Sequence, residues 1–216
     1  MYMPTHFEEP DISVLHALIR SHPLGTWVTL AGGELLVNHI PFLVDASRGE
    51  HGTLVGHVAR ANPVWKSFSK EVPSAVIFQG PEGYISPSFY PAKKEHGKVV
   101  PTWNYAVVHA RGVPRVMDDA AWLLKHVTAM THMQESRHQP VEWKVSDAPA
   151  DFIESMLKMI VGIEIPLAAL VGKWKMSQNR SMPDRLGTIA GLRERGDANS
   201  REVAALVQQR ASAKED

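Results

Sequence analysis

The chain of 216 residues balances 23 Lys+Arg against 23 Asp+Glu, and a formal net charge of zero disfavours a strongly basic surface for nucleic acid. It has no cysteine, which removes disulfides, thiolate zinc sites and thiol catalysis together and fits a reducing cytoplasm. An apolar fraction of 44% suits a soluble globular chain, MYMPTHFEEPD has no basic leader or apolar core, and no apolar run reaches the ~20 residues of a membrane span.

Asp11 or Ser13 can cap a first helix, in which Ile12, Leu15, Leu18 and Ile19 recur at helical spacing until His22-Pro23 ends it. Short β runs follow at Gly25–Leu30, Glu34–Val44 and Thr53–Val58, with Gly32-Gly33 as a hairpin signal. Asn62-Pro63 opens a helical turn carrying Trp65 and Phe68. Strands resume at Ser74–Gln79, Tyr84–Phe89 and Asn104–Arg115, the first two separated by a turn at Gly80-Pro81-Glu82-Gly83. Asp118 or Asp119 starts a helix to about Met133, with Trp122, Leu123, Val127 and Met130 on one face; a second helix fits Pro149–Lys158. Ile160–Ile165 and Leu167–Val171 are β-prone and divided by Pro166. The tail 183–212 is helical in pattern and broken near Gly196. At least six short strands with helices gathered at the ends predict an α+β fold, mainly β, built as a small barrel.

Residues 84–109, YISPSFYPAKKEHGKVVPTWNYAVVH, concentrate the chemistry. Ser86 and Ser88 would share a strand face. Tyr84, Tyr90, Trp103 and Tyr105 can stack on a flat ring system, and Asn104 offers both a donor and an acceptor. Lys93, Lys94 and Lys98 sit in a loop with Gly97, free to fold over an anion. That mixture suits a planar, anionic ligand, while an aromatic strand pair with a solvated basic loop is the plainer explanation. A second group joins Asn38-His39-Ile40-Pro41-Phe42 to Gly56-His57-Val58-Ala59-Arg60, where His57 and Arg60 could meet a phosphate. A third, Lys173-Trp174-Lys175-Met176-Ser177-Gln178-Asn179-Arg180, follows a β-prone run with two lysines on one side. The histidines show no metal-ligand spacing, and neither a P-loop, a G-x-G-x-x-G nor a G-x-S-x-G motif occurs, so no metal is expected.

With these residues in hand, the chain resembles the PaiB family of FMN-binding negative transcriptional regulators, nearly end to end. The likeness runs through Met1-Tyr2-Met3-Pro4, His39-Ile40-Pro41, Gly56-His57, Asn62-Pro63 with Trp65, and Phe78-Gln79-Gly80-Pro81. It continues in Tyr84–Tyr90, Val100-Pro101-Thr102-Trp103-Asn104-Tyr105, Val161-Gly162 and Ser177-Gln178-Asn179-Arg180. One departure is Phe89, where the family usually has tryptophan. The resemblance implies a split β-barrel over 1–180, with a helical insertion at about 118–158, and a helical extension at 181–216 packed on the barrel or a partner chain. It implies a cytoplasmic homodimer that holds FMN at its interface. The implied site comprises His39, Pro41, His57, Arg60, Tyr84, Ser86, Ser88, Tyr90, Thr102, Trp103, Asn104, Tyr105, Lys173, Gln178 and Arg180. Two alternatives stay open: a haem-handling split barrel with His57, His109 or a tail histidine on the iron, or a flavin-dependent oxidoreductase. No DNA-reading element is evident.

Overall fold

The computed structural model describes residues 1–212. Its first half holds β1 (Glu8–Glu9), α1 (Ile12–Ser21), β2 (Leu24–Ala31), β3 (Glu34–Pro41), β4 (Leu43–Asp45), β5 (Thr53–Ala59), α2 (Val64–Ser67), β6 (Ser74–Ile85) and α3 (Ala92–Glu95). There follow β7 (Thr102–Gly112), β8 (Arg115–Met117), α4 (Ala120–His138), α5 (Ala150–Leu157), β9 (Ile160–Pro166), β10 (Ala169–Lys175), α6 (Met182–Arg195) and α7 (Ala198–Ser212). These elements form two compact units. One comprises Met1–Leu15, Gln79–Val108 and the described residues from Val171 onward; the other comprises His16–Phe78 and His109–Leu170.

In the first unit the strand order is β1-β10-β7-β6, with Glu8 opposite Lys173 and Glu9 opposite Gly172 in antiparallel register. The tail forms a helical pair. Ser181 caps α6, its hydroxyl accepting the Asp184 N–H, and Gly196 ends that helix in the left-handed conformation at φ 74°. Leu192 on α6 and Val203 and Val207 on α7 are fully buried. Both Leu192 and Val203 lie against Gly83 of β6, where a Cβ would already be in van der Waals contact. The expected turn at Gly80–Gly83 is therefore strand, because helix packing over small residues overrides the local turn signal.

In the second unit β2 and β3 form the expected hairpin, with Gly32 and Gly33 both at positive φ. Here the strand order is β6-β2-β3, beside a four-stranded antiparallel sheet in the order β4-β5-β9-β8. The single run expected over Glu34–Val44 is two strands in different sheets. Phe42, fully buried, turns inward between them and meets Phe78 edge-on at 6.1 Å. Gly56 makes room for that ring, since a Cβ there would stand 2.9 Å from it. Trp27, Leu54, Val76, Ile163 and Ile165 complete this core. Strand β2 alternates buried with half-buried residues as a one-sided strand should, while β9 is buried on both faces.

Candidate functional site

The string Thr102-Trp103-Asn104-Tyr105 opens β7, and strand alternation sends its side chains two ways. Asn104 is fully buried and its Nδ2 donates to Ser177 Oγ at 2.9 Å, while Trp103 is 52% exposed. Ser177 sits just beyond β10 at φ 62°, a left-handed conformation that few residues without glycine's freedom adopt, and the Asn104 bond helps to hold it there. Gln178 folds back on the same turn, accepting the Met176 N–H at 2.6 Å and donating to the Trp174 carbonyl at 2.5 Å. Asn104 and Gln178 thus fix the turn's shape.

The cations of this unit are placed differently. Lys175 Nζ donates to Thr102 Oγ1 at 2.5 Å and to the Trp103 carbonyl at 2.8 Å. Burial, followed by the charges of Lys173 and Arg180, pushes its pKa down. Lys173 Nζ donates to the Tyr2 carbonyl at 3.2 Å and lies 5.5 Å from the centres of the Tyr2 and Tyr105 rings. Arg180 stands 4.8 Å over the Tyr90 ring, whose hydroxyl is pushed up in pKa, chiefly by burial. Tyr84 and Trp103 meet edge to face at 6.0 Å, and both are exposed.

The serine pair does not stand on a strand. Strand β6 ends at Ile85, and Ser86 caps a single turn over Pro87–Phe89, its Oγ accepting the Ser88 N–H at 3.1 Å. The two hydroxyls then bond each other at 2.7 Å. Proline after Ser86 favours this turn over continued strand, which is why the two-residue spacing misled. Phe89 packs on Gly191 of α6, where a Cβ would fall 2.2 Å from the ring, and Arg195 lies 5.3 Å from its centre. Lys93 and Lys94 are in α3, not in an open loop.

The remaining predicted residues, His39, Pro41, His57 and Arg60, belong to the second unit. His39 is exposed on β3 opposite Thr26, and Pro41 closes that strand. Arg60 is engaged: Nη1 and Nη2 grip the Asp118 carboxylate at 3.0 and 2.6 Å, while Nε and Nη2 donate to the carbonyls of Lys158 and Ile160. The Asp118 bond raises the Arg60 pKa further and lowers that of Asp118. His57 Nδ1 lies 3.0 Å from His126 Nε2, so one ring donates and the other accepts. Burial lowers both pKa values, that of His126 to about 4 with help from His57, and the pair is neutral at pH 7.

Sequence reasoning did not single out the group around this pair. Trp122 stacks on His126 at 5.3 Å and 23°, lies against Gly162, and donates its indole N–H to Glu164 at 3.1 Å. Glu164 is 4% exposed and receives both terminal nitrogens of Arg48, at 2.6 and 2.7 Å, which hold its pKa down. Trp122 and His126 at i, i+4 on one helix were the available signal. Lys175 was not among the expected site residues, although it lies two positions from Lys173.

The architecture is the α+β split barrel of flavoprotein type, with added helices. The flavocytochrome Anf3 of Azotobacter vinelandii superposes with a TM-score of 0.55 at 15% identity, covering 84% of this chain and 74% of that one. Protein Rv2991 of Mycobacterium tuberculosis does so with a TM-score of 0.58 at 8% identity, covering 84% and 94%. At such identities the likeness concerns the fold alone. The sequence adds more: the family described as "Putative FMN-binding domain" matches residues 1–169. The Bacillus subtilis "Protease synthase and sporulation protein PAI 2" is 32% identical over 96% of this chain and 97% of its own length. An uncharacterized protein of Emericella nidulans is 34% identical over 100% and 99%. The chain belongs to this FMN-binding-domain family, the PaiB family.

Proposed function

We propose that the chain is a cytoplasmic, homodimeric FMN-binding protein of the PaiB regulator type. The observation that carries this reading is the cation–aromatic cluster of the first unit. Lys175 is partly desolvated, with Lys173 and Arg180 opposing its charge, and exposed rings stand nearby. An anionic group beside Lys175 would relieve that repulsion and restore its proton affinity. A flat ring system would cover Tyr84 and Trp103, which otherwise present large apolar surface to water.

In this reading Lys175 and Arg180 attract the phosphate, Thr102 supplies a hydroxyl, and Tyr84 and Trp103 take the isoalloxazine. Asn104, Ser177 and Gln178 hold the turn that positions them. Arg60, closed on Asp118, and His57, bonded to His126, keep the second unit in shape. Bound FMN would supply hydride or single-electron transfer; the protein contributes position, electrostatics and exclusion of water. The dimer draws support from β3, last in its strand order, which exposes Leu35 and Val37 along an open edge.

An absorption spectrum of the protein reconstituted with FMN, together with quenching of flavin fluorescence, tests the cofactor. Saturable quenching supports the proposal, and unquenched flavin overturns it. A haem Soret band in the protein as purified would favour the iron reading instead, with His57 as the first ligand to test. Light scattering that finds a monomer would remove the dimer. The regulator role is tested by filter binding to promoter DNA: affinity that falls steeply with salt supports direct repression, and no affinity overturns it.

A further inference from the structure

A cavity of about 760 Å³ opens in the second unit, between helix α4 and the four-stranded sheet, and none of the residues expected to hold FMN lines it. Its walls are aliphatic and sulfur-bearing, from Leu43, Val55, Met117 and Met133, all half-buried. Arg20, Arg48, Lys125 and Arg137 also line it, and all four are exposed. Asp45 and Glu164 provide the carboxylates, and Glu164 is already satisfied by Arg48 and the Trp122 indole. Cations therefore outnumber carboxylates by four to two around an apolar interior.

We propose that this cavity is a binding site for an amphipathic monocarboxylate, with its hydrocarbon body inside and its carboxylate among the exposed cations. Two features of the lining select this class. Half-buried Leu, Val and Met side chains gain by covering an apolar body, at about 25 cal/mol for each Å² removed from water. The excess of positive charge is modest and solvent-exposed, matched to one carboxylate rather than to a polyphosphate. A neutral amphiphile of the same length would bury the same body and lose the charge interaction. Lys125 is the cation best suited to report on the head group. It projects from the exposed face of α4 near Asp45, whose pKa is lowered chiefly by the Ser47 hydroxyl and slightly by the Arg48 and Lys125 charges. Ala129, one turn further along the same helix, is exposed and lines the cavity, so a larger side chain there fills it without disturbing the core.

The test is calorimetric titration of the full chain with sodium decanoate, with decanol as the neutral control. Saturable decanoate binding is expected, about tenfold tighter than decanol, weakened about tenfold in Lys125→Glu, retained in Lys125→Arg and abolished in Ala129→Trp. FMN quenching should be the same in all three variants as in the unaltered chain, which separates this site from the flavin reading. Four results would overturn the proposal: no saturable decanoate binding, equal affinity for decanol, binding that survives Ala129→Trp, or displacement of decanoate by FMN.

Discussion

The expected phosphate-end residues of the second unit and the basic cluster of the first are partnered in opposite ways, although the first unit also holds a closed pair in Arg210 with Glu9. In the second, three groups are closed on partners: Arg60 on Asp118, Arg48 on Glu164, and His57 with His126 as a neutral pair. In the first, Lys173 and Arg180 rest on rings and Lys175 on a hydroxyl and a carbonyl, and among the described residues no carboxylate is bonded to any of the three. An arginine or histidine at a strand end is therefore not a ligand site by virtue of its type. What matters is whether its donors are already matched. The closed set stabilises the fold; the open set is suited to an anion from outside the chain.

The largest effect expected from this contrast is in pH. Histidine in the unfolded chain titrates near 6.5, whereas folded His126 does so at about 4. Above pH 6.5 neither state binds the proton and the full stability is present. As pH falls below that value the unfolded state takes up a proton that the folded state refuses, and about 3 kcal/mol is lost by pH 4. The depressed pKa of His57 adds in the same direction. Urea midpoints measured across this range should show the slope, and His126→Phe should flatten it; an unchanged slope would mean that the pair is not the origin.

Glu164→Ala comes next. It strips a buried carboxylate from the Trp122 N–H and from Arg48, whose side chain is 44% exposed and recovers solvent. The expected loss is about 2 kcal/mol in chemical denaturation, with flavin affinity unchanged. Lys175→Ala should do the reverse, weakening FMN about tenfold, equivalent to about 1.4 kcal/mol, while the urea midpoint barely moves. The smallest effect is that of Arg60→Gln on FMN. Because its guanidinium is closed on Asp118, the dissociation constant should stay within about twofold. A collapse of affinity would return the phosphate to Arg60 and erase the contrast between the units.

Local physics made much of the fold legible. The Gly32-Gly33 hairpin, the end of the first helix before Pro23 and the break of the tail at Gly196 each depend on residues within a few positions. Misreadings arose where tertiary packing decided. Strand β6 runs through Gly80–Gly83 because α6 and α7 cover it, and the Glu34–Val44 run divides because the core takes Phe42. For the site, Thr102–Tyr105 and Ser177–Arg180 stood out as unusual strings, and the structure joins them through Asn104 and Ser177. Partnerships such as Arg60 with Asp118, His57 with His126 and Lys175 with Thr102 span more than fifty residues each, and spacing carries no trace of them. The strand reading of Ser86 and Ser88 failed for a local reason, since the proline between them already favoured a turn.

The central claim is that this chain holds FMN through the open cations and rings of its first unit. Titrating FMN fluorescence with the unaltered protein and with Lys175→Ala, at matched ionic strength, tests it most directly. The account predicts saturable quenching for the unaltered chain and a dissociation constant about tenfold higher for the variant. Unquenched flavin, or identical curves for the two proteins, would contradict it.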